Sequence, residues 1–147
     1  MSVDISLRKG LAIPLKGEAL KYITTSKLSD NFTLCPDDFH GVVPKMLVKE
    51  GEKVSLGQPV FFSKATPEMQ FVSPISGTLS KIVRGAKRRI LEIQLQSDGK
   101  DKAVKHKLPP LDKLSDAEIK SHLLASGCWP FIKQRPYDVI ANPDSTP

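Results

Sequence analysis

The residues with the clearest chemical potential in this 147-residue sequence are four cations that lie close together. Arg84, Lys87, Arg88 and Arg89 fall within a span of six residues, and such a cluster of guanidinium and ammonium groups binds phosphate, carboxylate or an anionic membrane surface. Residues 81–107 hold nine basic and three acidic side chains, a surplus equal to the formal net charge of +6 of the whole chain. The cluster therefore predicts either an anionic partner or a solvated hairpin face.

Nucleic acid is one anionic partner to consider for this basic stretch. Proteins that bind single strands stack the bases on aromatic side chains. Residues 81–107 contain no aromatic side chain. We therefore expect no nucleic-acid partner, and a nucleic-acid module remains only as an alternative that retention on DNA at low salt would test.

Two cysteines and three histidines are the residues with metal-ligand or nucleophile chemistry. Cys35 is followed by His40, and His122 by Cys128, at spacings that fit no standard zinc pattern. No sequence context supports a Cys/His nucleophile pair, and Asp37-Asp38 suits a loop or a helix start better than a catalytic dyad. The sequence thus predicts no metal site, no cofactor-binding residue and no catalytic residue.

The composition favours many short elements as the framework that positions these side chains. Hydrophobic residues make up 39% and charged residues 26% of the sequence, which allows a core. Twelve prolines against one tryptophan and two tyrosines indicate strands and turns rather than a helical bundle. No apolar run approaches the roughly 18 residues of a membrane-spanning helix, and no apolar stretch follows Arg8 and Lys9 as in a secretory signal. We therefore expect one cytoplasmic domain with an extension.

The sequence divides into four parts. Residues 1–40 have little periodicity and predict an N-terminal arm. Residues 41–97 are dense in short β signals and predict the main domain. Residues 98–113 are basic and end in prolines, as in a linker, and residues 114–147 predict a capped helix and an extended tail. The predicted fold class is therefore mainly β, within the α+β class.

Short apolar runs between turn residues define the strands that we predict in the main domain. In the last strand, alternation places Leu91, Ile93 and Leu95 on one face. The predicted strands are Val42–Val48, Val60–Phe62, Thr78–Val83 and Arg89–Gln96.

One helix is predicted after the linker. Ser115 and Glu118 have the spacing of a capping box, in which each side chain accepts a hydrogen bond from the other residue's backbone N–H. Gly127 predicts a left-handed helix end. The helix carries no obvious chemistry, so we expect it to pack on the β domain. Its expected packing positions are Ile119, Leu123 and Leu124, with Leu114 and Ile119 as a hydrophobic staple.

Residues 51–77 contain two half-motifs of turn glycines and prolines. Gly51-x-x-Val54-x-x-Gly57-x-Pro59-Val60 is followed by Ser73-Pro74-x-Ser76-Gly77, and glycine and proline at such places allow tight reversals. The pattern resembles the barrel-sandwich hybrid of biotinyl and lipoyl carrier domains. In those families a lysine lies seven residues before the Ser-Pro. Here that position is Thr66 and Lys64 is two residues out of register, so the resemblance implies the fold without the carrier group.

Motifs from both ends of the chain extend this resemblance. They are Lys9-Gly10-Leu11-x-Ile13-Pro14; Phe71-Val72-Ser73-Pro74-Ile75-Ser76-Gly77-Thr78 with Arg84-Gly85-Ala86-Lys87-Arg88; and Ser126-Gly127-x-Trp129 with Phe131, Arg135 and Pro136. Together they resemble the N-terminal region of the alpha subunits of bacterial sodium-translocating NADH:quinone oxidoreductases, over essentially the whole chain. Ala12 departs from the pattern, which usually has an acidic residue there.

The resemblance implies an N-terminal fragment that leads into a larger α/β domain. It implies a peripheral position on the cytoplasmic face of the bacterial inner membrane, with the fragment itself soluble, and enzyme function only as part of a multisubunit Na+-transporting complex. Partners would be the other subunits, with quinone and an anionic lipid surface as further candidates. The complex would use FAD, FMN, riboflavin, a 2Fe-2S centre and ubiquinone through other subunits, so we expect no cofactor in this fragment.

The candidate partner-facing or quinone-facing residues come from the basic hairpin and from the C-terminal motif of this pattern. Trp129-Pro130-Phe131 could line a quinone contact, although aromatic residues beside a helix end are more often core residues. The candidates are Arg84, Lys87, Arg88, Arg89, Trp129, Phe131 and Arg135. Assembly is the function that we favour. The alternatives are a biotinyl or lipoyl carrier and the related subunit of the Rnf electron-transport complex, which binds iron–sulfur clusters through cysteine-rich runs that are not found here.

Overall fold

The computed structural model describes Gly10, residues 16–25 and residues 29–145. The apolar part of the predicted arm, including Ala12 and Pro14, lies outside the described residues. Where the chain is described, no helix is long and apolar enough to cross a membrane.

Two antiparallel sheets of four and three strands, a separate two-stranded hairpin and one α-helix are the main elements of the described part of the chain. The first sheet has the strand order β1-β7-β6-β3, the second has the order β2-β4-β5, and β8 and β9 form a separate hairpin. The mainly β class predicted from the sequence is confirmed. The strands are β1 (Asn31–Leu34), β2 (Pro44–Met46), β3 (Lys53–Val54), β4 (Pro59–Ser63), β5 (Gln70–Val72), β6 (Gly77–Arg84), β7 (Ile90–Ser97), β8 (Lys133–Gln134) and β9 (Val139–Ile140).

The core joins apolar side chains from both sheets. Phe61 of β4 is fully buried and stacks on Phe71 of β5, with ring centroids 4.5 Å apart. Leu79 of β6 and Ile93 and Leu95 of β7 are buried in the same cluster. Burial of a large apolar side chain stabilises a fold by about 1.5–3 kcal/mol, so this cluster fixes the two sheets against each other.

A bulge in the β6–β7 hairpin overturns one predicted side-chain orientation. Val83 pairs with Glu92 and Arg84 pairs with Ile90, so Leu91 is an extra residue in β7. An extra residue shifts the two-residue alternation by one. Ile90 is consequently buried and Leu91 exposed. The prediction that Leu91 shares a face with Ile93 and Leu95 is wrong.

The first strand lies within the segment that the sequence favoured as an arm. Residues 31–34 pair with β7, with Phe32 opposite Leu95 and Leu34 opposite Ile93. Phe32 and Leu34 pack against the core, whereas Asn31 and Thr33 are exposed. Asn31–Leu34 does alternate polar and apolar side chains, but four residues is the shortest alternation that indicates a strand. The four-part division of the chain stays a prediction.

The helix α1 (Asp116–Ala125) forms as its sequence predicts, with one difference in packing. Ser115 and Glu118 make both hydrogen bonds of the capping box. Gly127 has φ +75° and lies so close to β5 that an added Cβ would be 2.6 Å from Val72 Cγ1. Leu124 alone of the helix is buried in the core. Ile119 and Leu123, predicted to be its buried face, are half-buried and line an open groove with the segment before the helix.

The start of the predicted linker is hydrogen-bonded to the β domain. The Ser76 hydroxyl donates a hydrogen bond to Asp98 Oδ1 at 2.6 Å and accepts one from the backbone N–H of Lys102 at 3.1 Å. Leu56 exchanges backbone hydrogen bonds with residues 102 and 104. Residues 98–104 therefore follow the surface of the domain rather than running free of it.

Candidate functional site: the basic hairpin and the aromatic cleft

The four predicted cations lie at the end of the β6–β7 hairpin, which extends beyond its neighbours. In the first sheet, β3 pairs only with residues 77–78 and β1 only with residues 93–96. No other strand of the described residues pairs with residues 82–92. The end of the hairpin is therefore a two-stranded ribbon, and side chains at its turn reach solvent.

The turn has a backbone conformation that its side chains disfavour. Lys87 has φ 53° and Arg88 has φ 62°, and the N–H of Arg89 donates to the carbonyl of Ala86 at 3.2 Å. Positive φ at both central residues defines a type I′ turn, for which Asn-Gly is the usual sequence. The turn thus presents two long cations at positions that favour small residues.

One of the four cations is neutralised within the domain. Arg89 donates from Nε at 3.2 Å and from Nη2 at 2.8 Å to Asp37 Oδ1. Arg84 donates from Nη1 to the backbone carbonyl of Arg88 at 3.3 Å. Among the described residues, no carboxylate forms an ion pair with Arg84, Lys87 or Arg88. Within the described ranges, three exposed positive charges at the turn therefore have no counter-ion.

The segment that carries Asp37 also reaches the aromatic residues near the C-terminus. Residues 36–38 form a short 3-10 helix, which agrees with a helix-start role for Asp37. Phe39 follows, and its ring is edge-on to Phe71 at 4.7 Å and to Phe131 at 6.4 Å between centroids. Neither Asp37 nor Phe39 was among the predicted site residues, because nothing local marks them as neighbours of Arg89 and Phe131.

An apolar cleft of about 210 Å³ lies beneath Phe131. The Phe131 ring is 72% exposed and lies at the edge of this cleft. A dry apolar cavity of about 150 Å³ holds a benzene ring, so the cleft has room for one substituted ring. The other lining residues come from both sheets and the extension: Leu34, Phe39, Phe61, Phe71 and Pro130 among them.

Trp129 and Arg135 differ in their surroundings. Trp129 is half-buried and packs against the core, and its Nε1–H donates to the carbonyl of Ala141 at 2.8 Å. It can therefore offer a ligand ring surface but no free N–H. Arg135 is exposed in the turn between β8 and β9. In the described part of the chain, no hydrogen bond or ion pair joins Arg135 to the hairpin.

Among the described residues, the cysteine and histidine candidates form no metal site or reactive pair, although His40 lines a hollow with Asp37 and Arg89. In the described ranges, no three His, Cys, Asp or Glu side chains lie close enough to hold a metal ion. Cys35 is half-buried, and burial followed by the charge of Asp38 raises the pKa of its thiol. A raised pKa keeps the thiol protonated, which disfavours it as a nucleophile.

The lysine considered for the carrier alternative lies at the base of a hairpin. Lys64 follows directly after β4, and its backbone N–H donates to the carbonyl of Val43 at 2.9 Å. The connection to β5 continues through Thr66 to Met69 before the chain turns back. Lys64 therefore does not occupy the tip of this connection, where a carrier lysine would project.

Two packed antiparallel sheets with glycine-bounded half-motifs, followed by a capped helix, define the class as a barrel-sandwich hybrid domain with a C-terminal extension. The NqrA N-terminal barrel-sandwich hybrid domain matches residues 5–98, and the NqrA second alpha/beta domain matches residues 114–147. The chain therefore belongs to the NqrA family. This confirms both the predicted fold and the resemblance on which it was based.

Individual proteins that are similar to this chain agree with the family match. The chain is 32% identical over 146 residues to the A (alpha) subunit of the Na(+)-translocating NADH-quinone reductase of Pseudomonas aeruginosa, and the match covers 97% of this chain and 33% of that protein. It is 35% identical over 148 residues to the corresponding protein of Serratia proteamaculans, with the same two shares. The chain thus spans about a third of the length of these relatives.

Proposed function

We propose that this chain acts as a docking and assembly domain in the alpha subunit of a sodium-pumping NADH:quinone reductase. It would lie on the cytoplasmic face of the bacterial inner membrane, in respiratory electron transfer coupled to Na+ export. The similarity to the P. aeruginosa protein over 97% of the chain supports this role. Its partners would be the other subunits of the complex.

The basic hairpin is the observation that carries the proposal. Three cations project from a ribbon and have no counter-ion among the described residues, and a cluster of like charges is stabilised by an anionic neighbour. Electrostatic complementarity of this kind sets the orientation and rate of protein association. A docking role uses this charge, whereas a role in electron transfer within the chain does not.

The residues present offer no standard site for a dinucleotide or an iron–sulfur cluster. The sequence has no Gly-x-Gly-x-x-Gly turn for a dinucleotide and no cysteine cluster for iron and sulfur. The described residues contain no group of metal ligands. We therefore propose that other subunits hold FAD and the 2Fe-2S centre; FMN and riboflavin are assigned to other subunits on the family resemblance alone, and no redox step is derived in this chain.

Binding to a depleted complex tests the docking role. The purified chain would be added to membranes that contain the reductase without its alpha subunit, and retention measured after washing. We expect saturable retention. A lipoyl domain, which has the same type of fold, is the control. Retention no greater than that of the lipoyl domain would contradict the proposal.

A quinone contact is a second candidate, supported by the aromatic cleft. Phe39, Phe71 and Phe131 surround a space that can take a single ring. Trp129 is the only tryptophan and lies beside Phe131, so its fluorescence reports on the cleft. A water-soluble ubiquinone analogue should quench it saturably, and Phe131→Leu should weaken the quenching. Linear quenching that the substitution leaves unchanged would remove this candidate.

A further inference from the structure

We propose that the basic hairpin and the exposed ring of Phe131 belong to one continuous docking face, and that its partner is a protein surface of mixed charge rather than a lipid bilayer. The inference rests on the proposed function, because the partner is sought within the same complex. It adds an apolar anchor to the charged hairpin and names the class of partner.

A direct series of contacts connects the two parts of this face. The hairpin residue Arg89 is bound to Asp37, and Phe39 follows Asp37 by two residues. Phe39 in turn meets the ring of Phe131 edge-on. The same segment also lines a surface hollow together with Arg89 and Ile90. A partner that covers the hairpin base therefore lies next to Phe131.

The exposed ring has the character of an interface anchor. Phe131 is 72% exposed although it is a large aromatic residue, and its ring meets that of Phe39 edge-on. Aromatic residues and arginine are enriched at the centres of protein interfaces, where a few of them supply most of the affinity. The juxtaposition of Phe131 with arginine-rich turn residues matches that composition.

The distribution of charge distinguishes a protein partner from a membrane. Asp37 and Asp38 are both exposed and lie in the segment that connects Arg89 with Phe39, and Asp37 is paired with Arg89. An anionic bilayer presents one sign of charge everywhere and would repel the other carboxylate, Asp38, which forms no ion pair among the described residues. A protein surface can place acidic groups opposite Lys87 and Arg88 and a donor opposite Asp38.

The turn conformation is a separate indication that the cationic side chains matter. Lys87 and Arg88 occupy left-handed positions where glycine or asparagine would be unstrained. Backbone strain of this kind is found preferentially at binding sites. A turn that served only to connect two strands would not need long cations at these positions.

Binding of the chain to the depleted reductase, compared among four variants, tests the face. Lys87→Glu/Arg88→Glu reverses the two positive charges at the turn of the hairpin. Lys105→Glu/Lys107→Glu makes the same change at exposed positions in the linker. Phe131→Ala removes the ring, and Tyr137→Ala removes an exposed ring from the β8–β9 turn. The affinity of each variant is measured at low and at high salt. Vesicles of phosphatidylethanolamine and phosphatidylglycerol are tested in parallel.

We expect the hairpin reversal to weaken binding by at least about tenfold and to remove most of its salt dependence. Phe131→Ala should weaken binding by about tenfold and leave the salt dependence intact. The two control variants should bind the depleted reductase like the wild type. On vesicles, the wild type should be retained no more than the hairpin reversal. Because Phe131 is exposed, its removal should leave the melting temperature within about 2 °C. If the melting temperature of Phe131→Ala falls further, Phe131→Tyr, which keeps the ring, is measured as well and must bind like the wild type.

The results that would contradict the docking face differ from the result that would contradict the proposed function. If Phe131→Ala binds like the wild type, the face does not include Phe131 and the inference is wrong. If vesicles retain the chain and the hairpin reversal releases it, the partner is lipid and the inference is also wrong. If the wild-type chain binds neither the depleted reductase nor vesicles, the proposed function itself fails, and the docking face with it.

Discussion

Replacing the strained turn by its usual sequence should raise stability and weaken docking together. The substitution is Lys87→Asn/Arg88→Gly, which restores the Asn-Gly pair typical of a type I′ turn. The two residues now have φ 53° and 62°, and neither makes an ion pair among the described residues. The substitution therefore removes backbone strain and, among the described residues, breaks no side-chain ion pair.

The magnitude follows from the backbone conformation. A left-handed conformation costs a side chain with a Cβ about 1–2 kcal/mol, and asparagine and glycine relieve much of this at the two positions. Glycine at position 88 has a larger loss of conformational entropy on folding, which offsets about 0.5–1 kcal/mol. A net gain of about 1 kcal/mol remains, which raises the melting temperature by about 4 °C for a chain of this size.

Thermal unfolding by circular dichroism, together with the binding assay, tests this reasoning. The control Lys87→Ala/Arg88→Ala removes the same charges but retains the strain, so it should weaken binding without raising the melting temperature. A lower melting temperature for the Asn-Gly variant would show that the cations stabilise the turn. Unchanged docking of both variants would show that the charges face only solvent.

Three further predictions concern the framework and the charges around it. Gly127→Ala should destabilise the chain by about 2–4 kcal/mol in chemical unfolding, because strain adds to overpacking; Gly99→Ala, at a similar φ but with open space around it, should cost about 1 kcal/mol or less. The hydrogen bond from Ser76 lowers the pKa of Asp98 below its ordinary 3.8. The contribution of ionised Asp98 to the stability of the fold is therefore complete above pH 3.8 and is lost as the pH falls through the lowered pKa. Asp98→Asn should accordingly make the melting temperature depend less on pH in the acid range. Asp37→Asn should change the melting temperature little but increase salt-dependent docking, since it releases a fourth cation; an unchanged salt dependence would contradict this.

The sequence predicted the elements whose signals are local. The capping box at Ser115 and the glycine at the helix end are recognised within a few residues, and both form as expected. Four short strands of the main domain, β2, β4, β6 and β7, were likewise predicted from turn residues and apolar content, whereas β3 and β5 were not. The bulge at Leu91 escaped prediction because it depends on how two strands pair, which the sequence of one strand does not state.

The candidate site was predicted only in part for the same reason. The cations of the hairpin adjoin one another in sequence, so their clustering was evident. Asp37 is 52 residues from Arg89, and Phe39 is farther still from Phe131. Only the fold brings these residues together, and they are what connects the two groups of candidates. Whether all the candidates face a partner stays a prediction.

The docking face is held in place by apolar contacts rather than by its charges. The Asp37–Arg89 ion pair is exposed, and such pairs stabilise a fold by about 0–1 kcal/mol. Phe39, by contrast, is edge-on to Phe71, which stacks on the fully buried Phe61. A substitution at Phe39 would therefore disturb both the fold and the face, because the same ring serves both. A charge change at the hairpin alters only what the face offers a partner, so charge variants separate docking from folding.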